Sequence, residues 1–254
     1  MMDTLTHRIE PKLQRPTRPT SGKIIFISCE GQVTEEEYFK IVSNLFSNVK
    51  SKIQFVSVME DILSIPAKFR TADQISELGK NKPWQLLEKI ERFKEEKKDV
   101  YDFDKHPEDE FWIVSDVDEN TNSVYVSKWN ETLSNCDAKK YGYAISNPYF
   151  ELWLLLHHVD AIADDHKYAV TDASPYDPTS HAHFGKRLLD DASAPIVSKR
   201  INAQHYDINK IKCAISRAKN LHNINESTWP KSLGSTAYLL LEKIIEVSDS
   251  YNNR

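Results

Sequence analysis

Three acidic residues that follow two apolar segments are the residues of this chain best suited to chemistry. Glu30 follows segment 23–29, and Asp116 and Asp118 close segment 110–118; both segments are rich in the β-branched and aromatic residues typical of strands. Residues i and i+2 of a strand point to the same side, so Asp116 and Asp118 can converge on one ion. Ligands of open α/β sheets bind outside the carboxyl ends of the strands, and Mg²⁺ prefers carboxylate oxygens. The sequence therefore predicts a Mg²⁺ or Mn²⁺ site for phosphoryl chemistry, with Glu30, Asp116 and Asp118 as metal ligands.

The elements that must position these acids alternate between strand and helix. The pattern predicts strands over 23–29, 52–58, 110–117 and 141–146, and helices that begin at Thr34 and cover 83–98, 124–133 and 149–159. Such alternation is typical of an α/β fold with a mostly parallel sheet flanked by helices. Helical patterns at 184–191, 207–222 and 236–248 follow without further strands.

This change of pattern suggests three parts. Residues 1–22 are basic and contain three prolines, which predicts a flexible arm. Residues 23–160 form the predicted α/β core, and residues 161–254 a helical C-terminal region packed on that core.

Composition limits the classes of function. The chain has 254 residues and a net charge of −5, so a nucleic-acid substrate would require a local basic surface or metal ions. Its three cysteines lack zinc-finger spacing, and neither a P-loop nor a Gly-x-Gly-x-x-Gly motif is present. The N-terminus has no apolar secretion signal and the chain has no long apolar span, so we expect a cytoplasmic protein.

Three motifs occur in an order that resembles the RloB-like family, which is found beside bacterial restriction and abortive-infection genes. They are E-G-x-x-T-E-x-x-Y-F from Glu30, D-x-D from Asp116, and S-N-P-x-F-E-L-W-L-L-L-H over 146–157. The glutamate followed by D-x-D also resembles the Toprim fold. The resemblance implies a Toprim-like, Mg²⁺-dependent nuclease that works in antiviral defence, often with an AAA- or ABC-type ATPase encoded nearby as its partner.

Within these motifs, each acid has a chemical and a structural interpretation. Glu30 is the candidate catalytic residue, as metal ligand or general acid/base; the alternative is an exposed loop acid. Glu35 can support the metal site or simply favour the first turn of a helix. Glu119 should point away from both aspartates, so at most it contacts the metal ligands and does not bind the ion itself.

The third motif carries a further candidate acid. Glu151 lies in an otherwise apolar helix and needs a partner, which can be a metal, a basic side chain or backbone donors. Asn147, just ahead of this helix, can cap it or support the site. His157 is six residues after Glu151, off its helix face, and we interpret it as a core histidine with satisfied hydrogen bonds.

Basic residues in the C-terminal region are the candidates for contact with nucleic acid. A solvated helix face and a phosphate-binding surface are both consistent with their spacing. They are Lys199, Arg200, Lys210, Lys212, Arg217 and Lys219.

Taken with the resemblance, these residues predict metal-dependent phosphodiester hydrolysis of DNA or RNA, including tRNA. The alternative is a non-catalytic subunit that binds and regulates an ATPase and keeps its acids for structure. Neutralising the acids separates the two hypotheses, because only the nuclease would lose its activity while it still folds.

Overall fold

A computed structural model describes most of the region in which strands and helices alternate. The described residues are 24–31, 33–46, 54–57, 62, 65–78, 82–117, 123–147, 149–158, 176–177, 182–183, 201–222 and 228–252. The predicted basic arm and the predicted helix over 184–191 lie outside this set.

A mixed sheet forms the centre of the described structure. Its strands, in chain order, are β1 Ile24–Cys29, β2 Gln54–Ser57, β3 Glu110–Asp116, β4 Gly142–Asn147 and, much later, β7 Gly234–Ser235. They lie side by side in the order β2-β1-β3-β4-β7; β1 to β4 are parallel and β7 runs antiparallel to β4. A separate antiparallel pair consists of β5 Tyr176–Asp177 and β6 Ala182–His183.

Helices surround the sheet. In the described part of the chain they are α1 Thr34–Phe46, α2 Ala72–Leu78, α3 Pro83–Lys97, α4 Ser123–Lys139, α5 Phe150–Leu155, α6 Ile208–Leu221 and α7 Ala237–Asn252. Short 3₁₀ turns cover Ala67–Phe69, Phe103–Lys105 and Ala203–His205.

Both faces of the sheet are covered, because successive side chains of a strand point to opposite sides. Ile25 and Ile27 of β1 pack into a core formed with α1, α5, α6 and α7. Ile24 and Phe26 pack into a second core, to which α3 contributes Leu86. All six β1 residues are buried, which explains the apolar run Ile24–Ile27.

The structure confirms an α/β fold with a mostly parallel sheet flanked by helices, whereas the Toprim-like topology and the division into three parts stay predictions. β5, β6 and β7 were not predicted. β7 extends the main sheet beside β4, so the region after residue 160 contributes strands as well as helices.

Helix α5 differs from the predicted range 149–159. It ends at Leu155, where the amides of His157 and His158 bond to carbonyls three residues back and tighten the chain into a turn.

Candidate active site

Glu30 and Asp116 lie at neighbouring strand ends. The parallel register pairs Cys29 with Val114, and the Glu30 amide continues the ladder by donating to the Val114 carbonyl at 2.9 Å. Glu30 is therefore level with the last two residues of β3. This is the arrangement that the strand-end positions of the two acids predict.

The carboxylate of Glu30 is fastened to the end of β3. Its Oε2 accepts a hydrogen bond from Ser115 Oγ at 2.6 Å and another from the Asp116 amide at 3.0 Å. Two donors on one oxygen hold the carboxylate in a defined orientation. Ser115 is a contributor that sequence reasoning missed; a polar residue just before the aspartate in an apolar strand was its only signal.

A second carboxylate, that of Glu35, lies against the turn after β1. Its Oε1 accepts a hydrogen bond from the Gly31 amide at 3.1 Å, and its side chain is buried. A Cβ added to Gly31 would lie 2.0 Å from Glu35 Oε2, so a larger residue here would displace this carboxylate. Gly31 thus permits the close approach of Glu35 to the turn.

Glu35 is the described acid with the clearest electrostatic perturbation. Burial, and then the negative charges of Glu151 and Glu30, raise the pKa of Glu35 from 4.5 to about 7, although backbone donors including the Gly31 amide oppose the shift. A carboxyl group with such a pKa holds and releases a proton near neutral pH. The repulsion also indicates that three acids share one electrostatic environment: Glu30 directly after β1, Glu35 in α1 and Glu151 in α5.

Glu151 enters this environment from the second residue of α5, where it is buried. The helix begins directly after β4, so its first turn lies at the carboxyl edge of the sheet. The predicted capping role of Asn147 is wrong, because Tyr149 is the N-cap and Asn147 Nδ2 donates instead to the Pro230 carbonyl at 3.0 Å. Whether Asn147 supports a metal site stays a prediction.

Buried charge of the opposite sign lies near the same strand end. Lys89 of α3 is 4 % exposed, and sequence reasoning missed it, although it is three residues after Leu86 and four before Phe93 in an apolar stripe. Burial, and then Glu36 and Glu35, raise the pKa of the Cys29 thiol well above its ordinary value, whereas the charges of Lys89 and Lys40 lower it. The charge of Lys89 therefore reaches the end of β1.

His157 has the structural role that its sequence position indicates. Its Nδ1 donates to the Trp153 carbonyl at 2.9 Å, which leaves Nε2 to accept from Tyr38 Oη at 3.1 Å. Burial lowers the pKa of His157 to about 3, so the ring is neutral at physiological pH. Its bond to Tyr38 joins α1 to the end of α5.

The basic residues of α6 divide into bonded and exposed groups. Lys210 Nζ donates to the His205 carbonyl at 2.9 Å, and an Arg217 guanidinium nitrogen donates to the Leu156 carbonyl at 2.7 Å, near the end of α5. Lys219 pairs with Glu242 of α7, and Lys212 is exposed. Lys199 and Arg200 lie outside the described residues.

Carboxylates are the ligands that hard divalent cations prefer. Four acids lie at or near the strand ends: Glu30, Asp116, Glu35 and Glu151. The predicted ligand Asp118 and its neighbour Glu119 lie outside the described residues. Among the residues that the structure does describe, no three His, Cys, Asp or Glu side chains form a metal-binding group. Within the same part of the chain, no helix is both long and apolar enough to span a membrane.

Comparison with known proteins assigns the chain to a family. The model of the RloB-like protein family matches residues 25–244, which include the strand ends, the buried acids and α6. This match covers most of the chain, so the chain belongs to the RloB-like family. Searches of curated proteins and of solved structures each gave no match.

Proposed function

We propose that this member of the RloB-like family is a metal-dependent endonuclease that hydrolyses phosphodiester bonds of DNA or RNA, including tRNA. Its biological setting would be antiviral defence in the cytoplasm, together with an AAA- or ABC-type ATPase. The observation that carries the proposal is the position of the Glu30 carboxylate at the end of β3. It accepts a hydrogen bond from the Asp116 amide, and its charge, with that of Glu151, acts on the buried Glu35.

The proposed reaction assigns separate tasks to the acids. Glu30, Asp116 and Asp118 would hold a Mg²⁺ or Mn²⁺ ion, which when bound supplies Lewis acidity at the phosphate. Attack by water forms a new bond to phosphorus as the bond to the 3′ oxygen breaks. Glu30, oriented by Ser115, would accept the proton of the attacking water.

The departing 3′ oxygen needs a proton, and Glu35 can supply one. Its pKa of about 7 leaves a large fraction protonated at neutral pH, whereas an ordinary glutamate would be almost fully ionised. Glu151 helps to keep this pKa high by its own negative charge. Burial of an acid lowers the stability of a fold. A role in proton transfer would explain why these acids are nevertheless buried.

The substrate would have to overcome the net negative charge of the chain. Lys212 is exposed on α6 and is available for a phosphate contact, while Lys210 and Arg217 are half-buried and bonded to backbone carbonyls. Contacts of this kind would make binding salt-dependent and would carry little sequence preference.

The test uses charge-neutral variants of nearly unchanged shape. The purified chain, with and without its neighbouring ATPase, is incubated with DNA and with total RNA in Mg²⁺ or Mn²⁺. Glu30→Gln and Asp116→Asn should abolish cleavage, while circular dichroism at the assay temperature should show that both variants are folded. Glu88→Gln, which changes an exposed acid of α3, should cleave normally. Cleavage that survives in both site variants would refute the assignment.

A second candidate function is a non-catalytic subunit of an ATPase complex. It is favoured by Phe69 and Ile75, which are 67 % and 56 % exposed around α2, because exposed large apolar side chains suit a partner surface. In that case Glu30→Gln would leave ATPase binding and regulation unchanged, while Phe69→Ser would weaken them.

A further inference from the structure

Lys89 is the only buried lysine or arginine among the residues that the structure describes. It lies on α3 among apolar neighbours, including Leu86 and Ile90, which pack against the sheet. A buried ammonium group is strongly unfavourable unless a negative group compensates it. Its position in the fold identifies the group that does so.

Helix α3 runs antiparallel to the strands that it covers. Near its start, Trp84 packs against the cluster around Val117, just beyond the carboxyl end of β3. Towards its end, the Phe93 ring lies 5.6 Å from that of Phe26, in the middle of β1. Helical side chains tilt towards the helix N-terminus, so the Lys89 ammonium is directed to the carboxyl edge of the sheet.

Polar groups replace apolar ones on this face at the carboxyl edge. Ser28 follows Phe26 by two residues, and Ser115 follows Ile113 by two, so both serines face α3. Ser115 Oγ donates to Glu30 Oε2, and Ser28 Oγ is buried with no hydrogen-bond partner among the described residues. Glu30 is thus the carboxylate at the top of the face against which Lys89 is packed.

We infer that Lys89 is a positioning residue: its ammonium is the buried counter-ion of Glu30 and holds that carboxylate in place in the metal-free protein. The pairing stands on the packing of α3 against β1 and β3. Its consequence for metal binding rests on the proposed function, since a divalent ion at Glu30 would meet a fixed positive charge beside its site.

The pairing is tested first without metal, by a double-mutant cycle in EDTA. Lys89→Met keeps the buried aliphatic chain and removes the charge, and Glu30→Gln removes the opposing charge. The drop in Tm caused by Lys89→Met should fall to less than half when Glu30 is already Gln. If Lys89→Met alone does not fold, the double variant should fold. Additive Tm losses would overturn the inference.

The second test measures metal affinity by Mn²⁺ titration. Lys89→Met should bind Mn²⁺ about tenfold more tightly than wild type, because a like charge near the ion has been removed. Lys89→Arg should retain the wild-type affinity. Lys40→Met is the matched control, since Lys40 also acts on Cys29 but is 65 % exposed, and its affinity should change little.

The two tests separate the two hypotheses. If Lys89→Met and Glu30→Gln are coupled in EDTA but the wild type binds no Mn²⁺, the pairing of Lys89 with Glu30 is supported and the metal site is refuted. Metal binding that depends on Glu30, combined with additive Tm losses, would retain the proposed function and refute the role of Lys89. Unchanged Mn²⁺ affinity in Lys89→Met would overturn the role in positioning the site.

Discussion

Glu35→Gln should stabilise the metal-free protein at pH 8. Wild-type Glu35 must ionise there in a buried position beside other acids, and the rise of its pKa from 4.5 to about 7 measures this penalty. Each pKa unit corresponds to about 1.4 kcal/mol, so the penalty is about 3 kcal/mol in the free energy of unfolding. The amide oxygen of Gln can still accept from the Gly31 amide.

The sign of the pH dependence follows from linkage. Between pH 4.5 and about 7 the folded protein retains the Glu35 proton that the unfolded chain has lost, so this group destabilises the fold as pH rises. At pH 4 both states are protonated and the gain from Glu35→Gln should vanish. Urea unfolding in EDTA over pH 4–8 measures the difference in the free energy of unfolding between variant and wild type. The contributions of His157 and other titrating groups cancel in this difference.

Two further variants make the test specific. Glu151→Gln should move the pH-dependent step towards lower pH, because it removes a charge that raises the pKa of Glu35. Glu88→Gln, which changes an exposed acid, should show no pH-dependent step in its stability difference from wild type. A Glu35→Gln protein that is less stable than wild type at pH 8, or equally shifted at pH 4 and pH 8, would refute the reasoning.

Other outcomes follow from the same geometry. Millimolar Mg²⁺ should raise Tm relative to EDTA by mass action on the folded state, and an equal rise in Asp116→Ala would contradict the site. Gly31→Ala should lower the free energy of unfolding by about 2 kcal/mol, because its Cβ would lie 2.0 Å from Glu35 Oε2; urea titration should show less loss when Glu35 is already Ala. Tyr38→Phe should lower the free energy of unfolding by about 1–3 kcal/mol, because it leaves His157 Nε2 without its hydrogen-bond donor. An unchanged urea midpoint would exclude this bond.

Local sequence patterns predicted the elements that carry strong periodicity. β1 and β3 were evident because both faces of the sheet are covered and each strand contains an apolar run, Ile24–Ile27 in β1 and Phe111–Val114 in β3. β7 could not be predicted, since two residues, Gly234 and Ser235, have no period and pair only with the distant β4. Its existence depends on tertiary contact alone.

The site was predictable to a similar extent. Strand-end position was sufficient to bring Glu30 and Asp116 together, because parallel strands share a carboxyl edge. The burial of Glu35 and of Lys89 was not predictable, since it depends on how α1 and α3 pack. Sequence patterns treat charged residues in amphipathic helices as solvated, and these two are exceptions.

The edge of the sheet at β4 is completed by a segment, residues 234–236, that is synthesised late. Thr236 bonds to both the amide and the carbonyl of Ile145, and Ser235 meets Ser146 across a separation of 89 residues. At translation rates of 5–20 residues per second, β4 would wait on the order of ten seconds with its outer backbone groups unpaired. A nascent chain halted in that interval would expose an unpaired edge of β4, which can act as a template for aggregation. Synthesis and folding of β7 and α7 would cover this edge.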